Sequence, residues 1–231
     1  GDVFDSGAKT EYYENQSISG YTANFFDQSD FEFEFGHQPG SDCRAVAAAD
    51  IDGDGTDDLV ICHRDTPIML VNNQQGKWEN VASDTDWFGS AVEQQKLTKT
   101  SVAVWVDYDH DGDLDLYVGR SDPSFSSPQA NDYLFENRGE GSIPRFVDVT
   151  VAAGFAGLPN VDTHDVSWCD YDQDGFWDVT LAVSSNQILH YRETSLGYYV
   201  PVSTAVPVVP SDTGYKGISY VDIDSDGDLD L

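Results

Sequence analysis

Short apolar runs recur along this chain, each cut off by a turn rich in Asp and Gly. The runs 45–49, 102–106, 166–169 and 218–221 each lead into an acidic loop. After three of those loops the chain turns apolar again, at 59–62, 116–118 and 179–182. Apolar runs this short, bounded by turn residues, read as buried strands. The acidic loop between two of them then joins antiparallel neighbours. Two further strands follow in each unit. They are 68–72 and 78–81 around Gly76, 133–137 and 145–149 across a Gly-rich turn, and 188–191 and 198–202 around Gly197. No stretch carries a 3.6-residue period, so little helix is expected.

The units repeat. Their loops begin at Asp50, Asp107, Asp170 and Asp222, at spacings of 57, 63 and 52 residues. Four short strands repeated at such intervals predict an all-β fold, a β-propeller of four-stranded antiparallel blades. The expected organisation is an N-terminal arm over 1–23, a partial blade over 24–41, and propeller repeats over 42–231. Blades start near 42, 101, 161 and 215, the last incomplete. In the partial blade, 24–27 and 31–35 resemble third and fourth strands with no loop ahead of them. The favoured expectation is a fragment of a longer propeller. A four-bladed ring closed by the N-terminal pair is one alternative. Pairing of open strand edges between molecules, which builds assemblies or filaments, is another.

The loops share one grammar. Asp stands at positions one, three, five and nine, and Gly at six. The copies are Asp50, Asp52, Asp54 and Asp58; Asp107, Asp109, Asp111 and Asp115; Asp170, Asp172, Asp174 and Asp178; and Asp222, Asp224, Asp226 and Asp230. Calcium takes six to eight oxygen ligands in irregular geometry, and a glycine lets such a loop turn sharply. The seventh residue is expected to offer its backbone carbonyl, so its side chain is free to vary. It is Thr56, Asp113, Phe176 or Asp228. Positions two and four also vary, as expected of side chains that point away from an ion. Up to four Ca²⁺ ions are predicted. An EF-hand is excluded, because it needs a bidentate Glu at position twelve and flanking helices. Magnesium demands stricter octahedral geometry, and zinc would call for Cys or His among the ligands.

Composition narrows the class. The formal net charge is −31, from 42 acidic and 11 basic residues. Such a chain repels nucleic acid and anionic membranes, so neither is an expected partner. Acidity can also mark disorder. Here 39% hydrophobic and 13% aromatic residues supply a core. No apolar run is long enough to cross a membrane as a helix. The three cysteines, Cys43, Cys62 and Cys169, form no disulfide framework, although a Cys43–Cys62 bridge is open. Asn15, Gln16 and Ser17 form one glycosylation sequon. Heavy calcium demand points to an extracellular or cell-surface location, where weak sites fill.

No catalytic motif stands out, and the chain is read as non-catalytic. Asp162, His164 and Asp165 form the most suggestive cluster, although a polar rim turn explains them better. Trp105 and Trp168 precede their loops and are expected in the core. Trp177, Phe176, Trp78 and Trp87 are candidates for stacking on a sugar ring. The Ser/Pro stretch 121–130 is a candidate binding insertion.

With loops and strands placed, the chain resembles the FG-GAP/VCBS repeat family of calcium-bearing β-propellers. The second unit carries the resemblance best. It runs Trp105, Val106, the loop from Asp107 to Asp115, then Leu116, Tyr117 and Val118. Leu134, Phe135, Glu136 and Asn137 follow, and then Phe146, Val147, Asp148, Val149 and Thr150. The resemblance implies structural rather than catalytic metals and a module that binds or adheres to glycan or extracellular protein. A structural subunit of a surface assembly, and the non-catalytic part of a polysaccharide-active enzyme, are the other readings. Propellers of that family are usually seven-bladed, more than the four loops count.

Overall fold

The computed structural model describes residues 13–15, 25–27, 43–63, 68–72, 78–90, 94, 96–120, 132–139, 143–155, 162–184, 187–202 and 217–231. Two compact units divide the chain, Gly1–Cys43 and Arg44–Leu231. In the first, β1 (Tyr13–Asn15) pairs antiparallel with β2 (Phe25–Asp27), with Glu14 opposite Phe26. The strand expected at 31–35 lies outside the described residues.

Three four-stranded antiparallel sheets fill the second unit. The first holds β3 (Cys43–Ala49), β4 (Asp58–His63), β5 (Ile68–Asn72) and β6 (Trp78–Asn80). The second holds β7 (Thr100–Val106), β8 (Asp115–Arg120), β9 (Tyr133–Asn137) and β10 (Phe146–Asp148). The third holds β11 (Thr163–Cys169), β12 (Asp178–Val183), β13 (Gln187–Ser195) and β14 (Tyr198–Val202). Strand order follows the chain in every sheet, so each strand pairs with the one before it. In each sheet an acidic loop joins the first strand to the second. Its ninth residue opens the second strand, and Val106 pairs Asp115 as Cys169 pairs Asp178. The fourth loop is closed by a single bridge, Val221 with Asp230.

The sheets pack face to face, which explains why their inner strands read as unbroken apolar runs. Alternation sends Leu116, Val118, Tyr133 and Phe135 into one core cluster, with Val60, Met69 and Val71 of the first sheet. Tyr117 and Leu134 point the other way, into a cluster with Val166, Val179 and Leu181 of the third. The middle sheet is therefore covered on both sides, and Leu116, Tyr117 and Val118 are fully buried. Burying a side chain of this size contributes about 1.5–3 kcal/mol.

Little helix is present among the described residues. One short helix, α1 (Thr85–Phe88), is capped by the Asp84 carboxylate accepting from Asp86 N–H at 2.8 Å. It plants Trp87 and Phe88 in the first cluster, where Phe88 stacks on Phe146 at 5.3 Å between centroids. Trp87, expected as an exposed stacking residue, is thus a core residue. Trp105 and Trp168 are half-buried against the two clusters, as expected of core positions. No helix among the described residues is long and apolar enough to cross a membrane.

Candidate functional site

Backbone geometry shapes each loop before any side chain acts. The sixth residue has φ of 89°, 97°, 93° and 96° at Gly55, Gly112, Gly175 and Gly227. Only glycine adopts that conformation without cost. The fourth residue is also left-handed, at Gly53, His110, Gln173 and Ser225, with φ between 59° and 71°. Two such turns in three residues fold the loop back on itself and aim N–H groups inward. The first Asp accepts from the sixth residue's N–H in all four loops, at 2.9 Å in the first and third and 3.2 Å in the second and fourth. The fifth Asp accepts from the seventh residue's N–H at 2.8–3.1 Å.

The ninth Asp joins the loop to the rest of its sheet. Asp58, Asp115 and Asp178 are at most 1% exposed. Each takes the N–H of a third-strand residue on Oδ1: Asn72 at 2.8 Å, Asn137 at 2.7 Å and Glu193 at 3.0 Å. Asp58, Asp115 and Asp230 also take the N–H of the loop's second residue on Oδ2, at 3.0–3.1 Å.

In every loop the first, third and ninth Asp converge. Asp50, Asp52 and Asp58 bring one carboxylate oxygen each within 4.8 Å of one another, and so do the triads starting at Asp107, Asp170 and Asp222. The fifth Asp stands outside these groups, held to the seventh N–H. Three buried oxygens in the triads find no donor: Asp107 Oδ1, Asp178 Oδ2 and Asp222 Oδ1. Burial pushes the ninth carboxyls up, Asp58 and Asp178 to about 6 and Asp115 to about 8, against the lowering pull of their backbone bonds. Burial likewise raises Asp52 and Asp109. Only oxygen donors converge at these turns, and several lack a proton-bearing partner. Such a set fits a hard cation.

The FG-GAP-like repeat matches this sequence over residues 50–118 and 170–231, more than half of the chain. The chain belongs to the FG-GAP-like repeat family. Each matched stretch begins at the first Asp of a loop and takes in two loops, those from Asp50 and Asp107 in the first and those from Asp170 and Asp222 in the second. No curated protein matches the chain. Among solved structures it is similar to the Bacillus licheniformis rhamnogalacturonan lyase PL11, at 14% identity and a TM-score of 0.43. That likeness covers 82% of this chain and 39% of the lyase.

The FG-GAP loops also touch one another, which their spacing does not reveal. Gln173 Nε2, at position four of the third loop, donates to the Gly227 carbonyl of the fourth at 2.6 Å. His110, at position four of the second, lies 3.3 Å from Glu193 Oε2 of the third sheet, and its ring meets Phe176 edge-on. In the second and third loops position four therefore reaches across to the next repeat. Glu193, 1% exposed, also accepts from Trp177 N–H at 3.0 Å and Gly197 N–H at 2.7 Å. One signal for it existed, because Glu193 occupies the register place that Asn72 and Asn137 hold in the other FG-GAP sheets.

The remaining candidates sort by burial and bonding. Asp165 accepts from Ile218 N–H at 2.8 Å and so pins the fourth repeat's first segment. Asp162 lies beside Ser184, which bonds it through side chain and backbone. Trp177 is 40% exposed. Cys62 is buried and Cys169 half-buried, with burial pushing the Cys169 thiol up to about 11. The Cys43 side chain and the stretch 121–130 lie outside the described residues.

Proposed function

We propose that this FG-GAP repeat protein is an extracellular or cell-surface β-propeller module, held together by calcium, that binds a glycan or protein partner. One observation carries the reading. The same turn in each repeat gathers three carboxylates within 4.8 Å, and three of the four leave a buried oxygen without a donor. Like charges about 4 Å apart near a protein surface repel by roughly 4 kcal/mol per pair, so the charged loop calls for a cation. The first, third, fifth and ninth Asp and the seventh carbonyl would hold it. These are Asp50, Asp52, Asp54, Asp58 and Thr56 in the first loop, with the equivalent residues in the others. The ion supplies charge neutralisation. The residues do the structural part, since the ninth Asp ties each loop to its third strand. Face-to-face stacking of the sheets in chain order supports the blade reading.

Melting with and without chelator tests the proposal. Each filled site adds about 2.7 kcal/mol at a hundredfold excess over its dissociation constant. In a chain of this length each such step raises Tm by roughly 5–10 °C. EDTA is expected to lower Tm by at least that much and calcium to restore it. Identical melting curves would overturn the calcium reading. The partner reading rests on Trp177, whose backbone is fixed by Glu193 while its ring stays 40% exposed. Aromatic rings in that position stack on sugar faces. Trp177→Ala is expected to abolish glycan-array binding with Tm in calcium unchanged. Retained binding would place the partner surface elsewhere.

A further inference from the structure

We infer that Arg192 makes the third loop a self-countered cation site, weaker than its neighbours, so that the loops fill in steps. The inference rests on the calcium reading above and concerns how one site is regulated. The residues whose N–H closes on the ninth Asp are Asn72, Asn137 and Glu193. Immediately before each lies a residue at matching register on the third strand of its sheet. It is Val71 beside the first loop, Glu136 beside the second and Arg192 beside the third. One register place therefore carries no charge, a negative charge and a positive charge in turn.

The positive one reaches the loop. Arg192 Nη2 lies 2.7 Å from Asp174 Oδ2 and 3.1 Å from Asp172 Oδ2, the fifth and third acids of the third loop. The guanidinium does not satisfy the whole cluster. Asp178, 1% exposed, keeps Oδ2 without a donor, and one of its carboxylate oxygens lies within 4.8 Å of oxygens of Asp170 and Asp172. A divalent ion entering here meets ligands already shared with an internal cation and must share or displace it. At the second loop the residue in this register place is itself acidic. Glu136 is engaged by Arg138, Nε to Oε1 at 2.6 Å and Nη2 to Oε2 at 2.7 Å. Arg192 thus serves two states. It neutralises the third loop when calcium is scarce and competes with calcium when it is plentiful.

Calorimetric titration of the whole chain with calcium chloride tests this on wild type, Arg192→Gln and Arg192→Lys. Wild type is expected to show one class of sites weaker than the rest. Arg192→Gln should tighten that weakest site about tenfold, the scale of one unit charge acting on a divalent ion across a few ångströms of a water-exposed loop. Arg192→Lys, which keeps the charge, should leave it weak, and Asp178→Asn should remove it, which assigns it to the third loop. In wild type, the arginine side-chain NMR signal of Arg192 should shift over the same calcium range as the weakest site fills. That measurement needs no variant to fold. Calcium binding with Arg192→Gln no tighter than wild type, or an Arg192 signal indifferent to calcium, would overturn the inference and leave the calcium reading intact. No calcium binding in any of the proteins would overturn the calcium reading itself.

Discussion

Asp111 and Asp115 stand four residues apart in one loop and obey different physics. Asp115 is fully buried and accepts from Tyr108 N–H at 3.1 Å and Asn137 N–H at 2.7 Å. Asp115→Ala strands both donors, each at about 1–3 kcal/mol, so about 2–6 kcal/mol of stability should be lost with or without calcium. Asp111 is exposed and accepts from Asp113 N–H at 2.9 Å. Asp111→Ala should cost within about 1 kcal/mol in EDTA and more in calcium. Urea denaturation in both buffers separates the two roles, and equal losses in EDTA would refute the distinction. Gly112 isolates a third effect. A Cβ there would meet nothing within 4 Å, yet φ is 97°. Gly112→Ala should still cost about 1–2 kcal/mol from backbone strain alone, read from the same denaturation curves. The Asp spacing and the glycine were legible in the sequence. The second duty of the ninth Asp was not, because its partners lie 14, 22 and 15 residues downstream. The left-handed fourth position was also hidden, since His110, Gln173 and Ser225 do not announce it.

Strands were the most legible elements because their signal is local. Tyr133–Asn137 forms a strand over the residues that its apolar run and flanking turns mark out. A four-residue helix offers no period to read, so α1 stayed hidden, and with it the burial of Trp87. Contacts between sheets were hidden too. Asp132 is one such contact. It lies just ahead of β9 and accepts from Tyr117 Oη at 3.0 Å, Thr163 Oγ1 at 2.6 Å and Arg120 N–H at 2.9 Å, so it ties the second sheet to the third. Ser101 Oγ donates to the Thr163 carbonyl beside it. Burial pushes the Asp132 carboxyl up to about 6, although its three hydrogen bonds and the Arg120 charge pull the other way. A carboxyl raised in the folded state binds its proton more tightly there than in the unfolded chain. Its stabilisation is therefore complete below about pH 4 and is lost as pH rises through about 6. Asp132→Asn should remove that part of the pH profile, worth about 3 kcal/mol between the two ends. Chemical denaturation at pH 4, 5, 6 and 7 checks it, and parallel profiles for variant and wild type would refute it.

At the scale of the molecule, charge is the quantity that both sequence and structure leave unbalanced. The chain carries −31, and much of that charge is drawn into four tight loops instead of being spread over the surface. Dispersed surface charge is weakly coupled in water, whereas carboxylates held within 4.8 Å by backbone bonds cannot move apart. The folded state therefore works against its own loops unless something neutralises them. Two agents can do so at different ranges. Monovalent salt screens over a Debye length of about 10 Å at 0.1 M and about 3 Å at 1 M. A bound divalent ion cancels charge inside the loop. If the loops are the main source of self-repulsion, the two agents substitute for one another. Raising NaCl from about 0.05 to about 0.5 M should then lift the Tm of the chelated protein by several degrees. The same change should lift the calcium-loaded protein much less, because the closest charges are already cancelled. Scanning calorimetry across that salt series, with and without calcium, reads both slopes. Equal slopes would mean that the repulsion lies in the dispersed surface charge and not in the loops, whatever the loops bind.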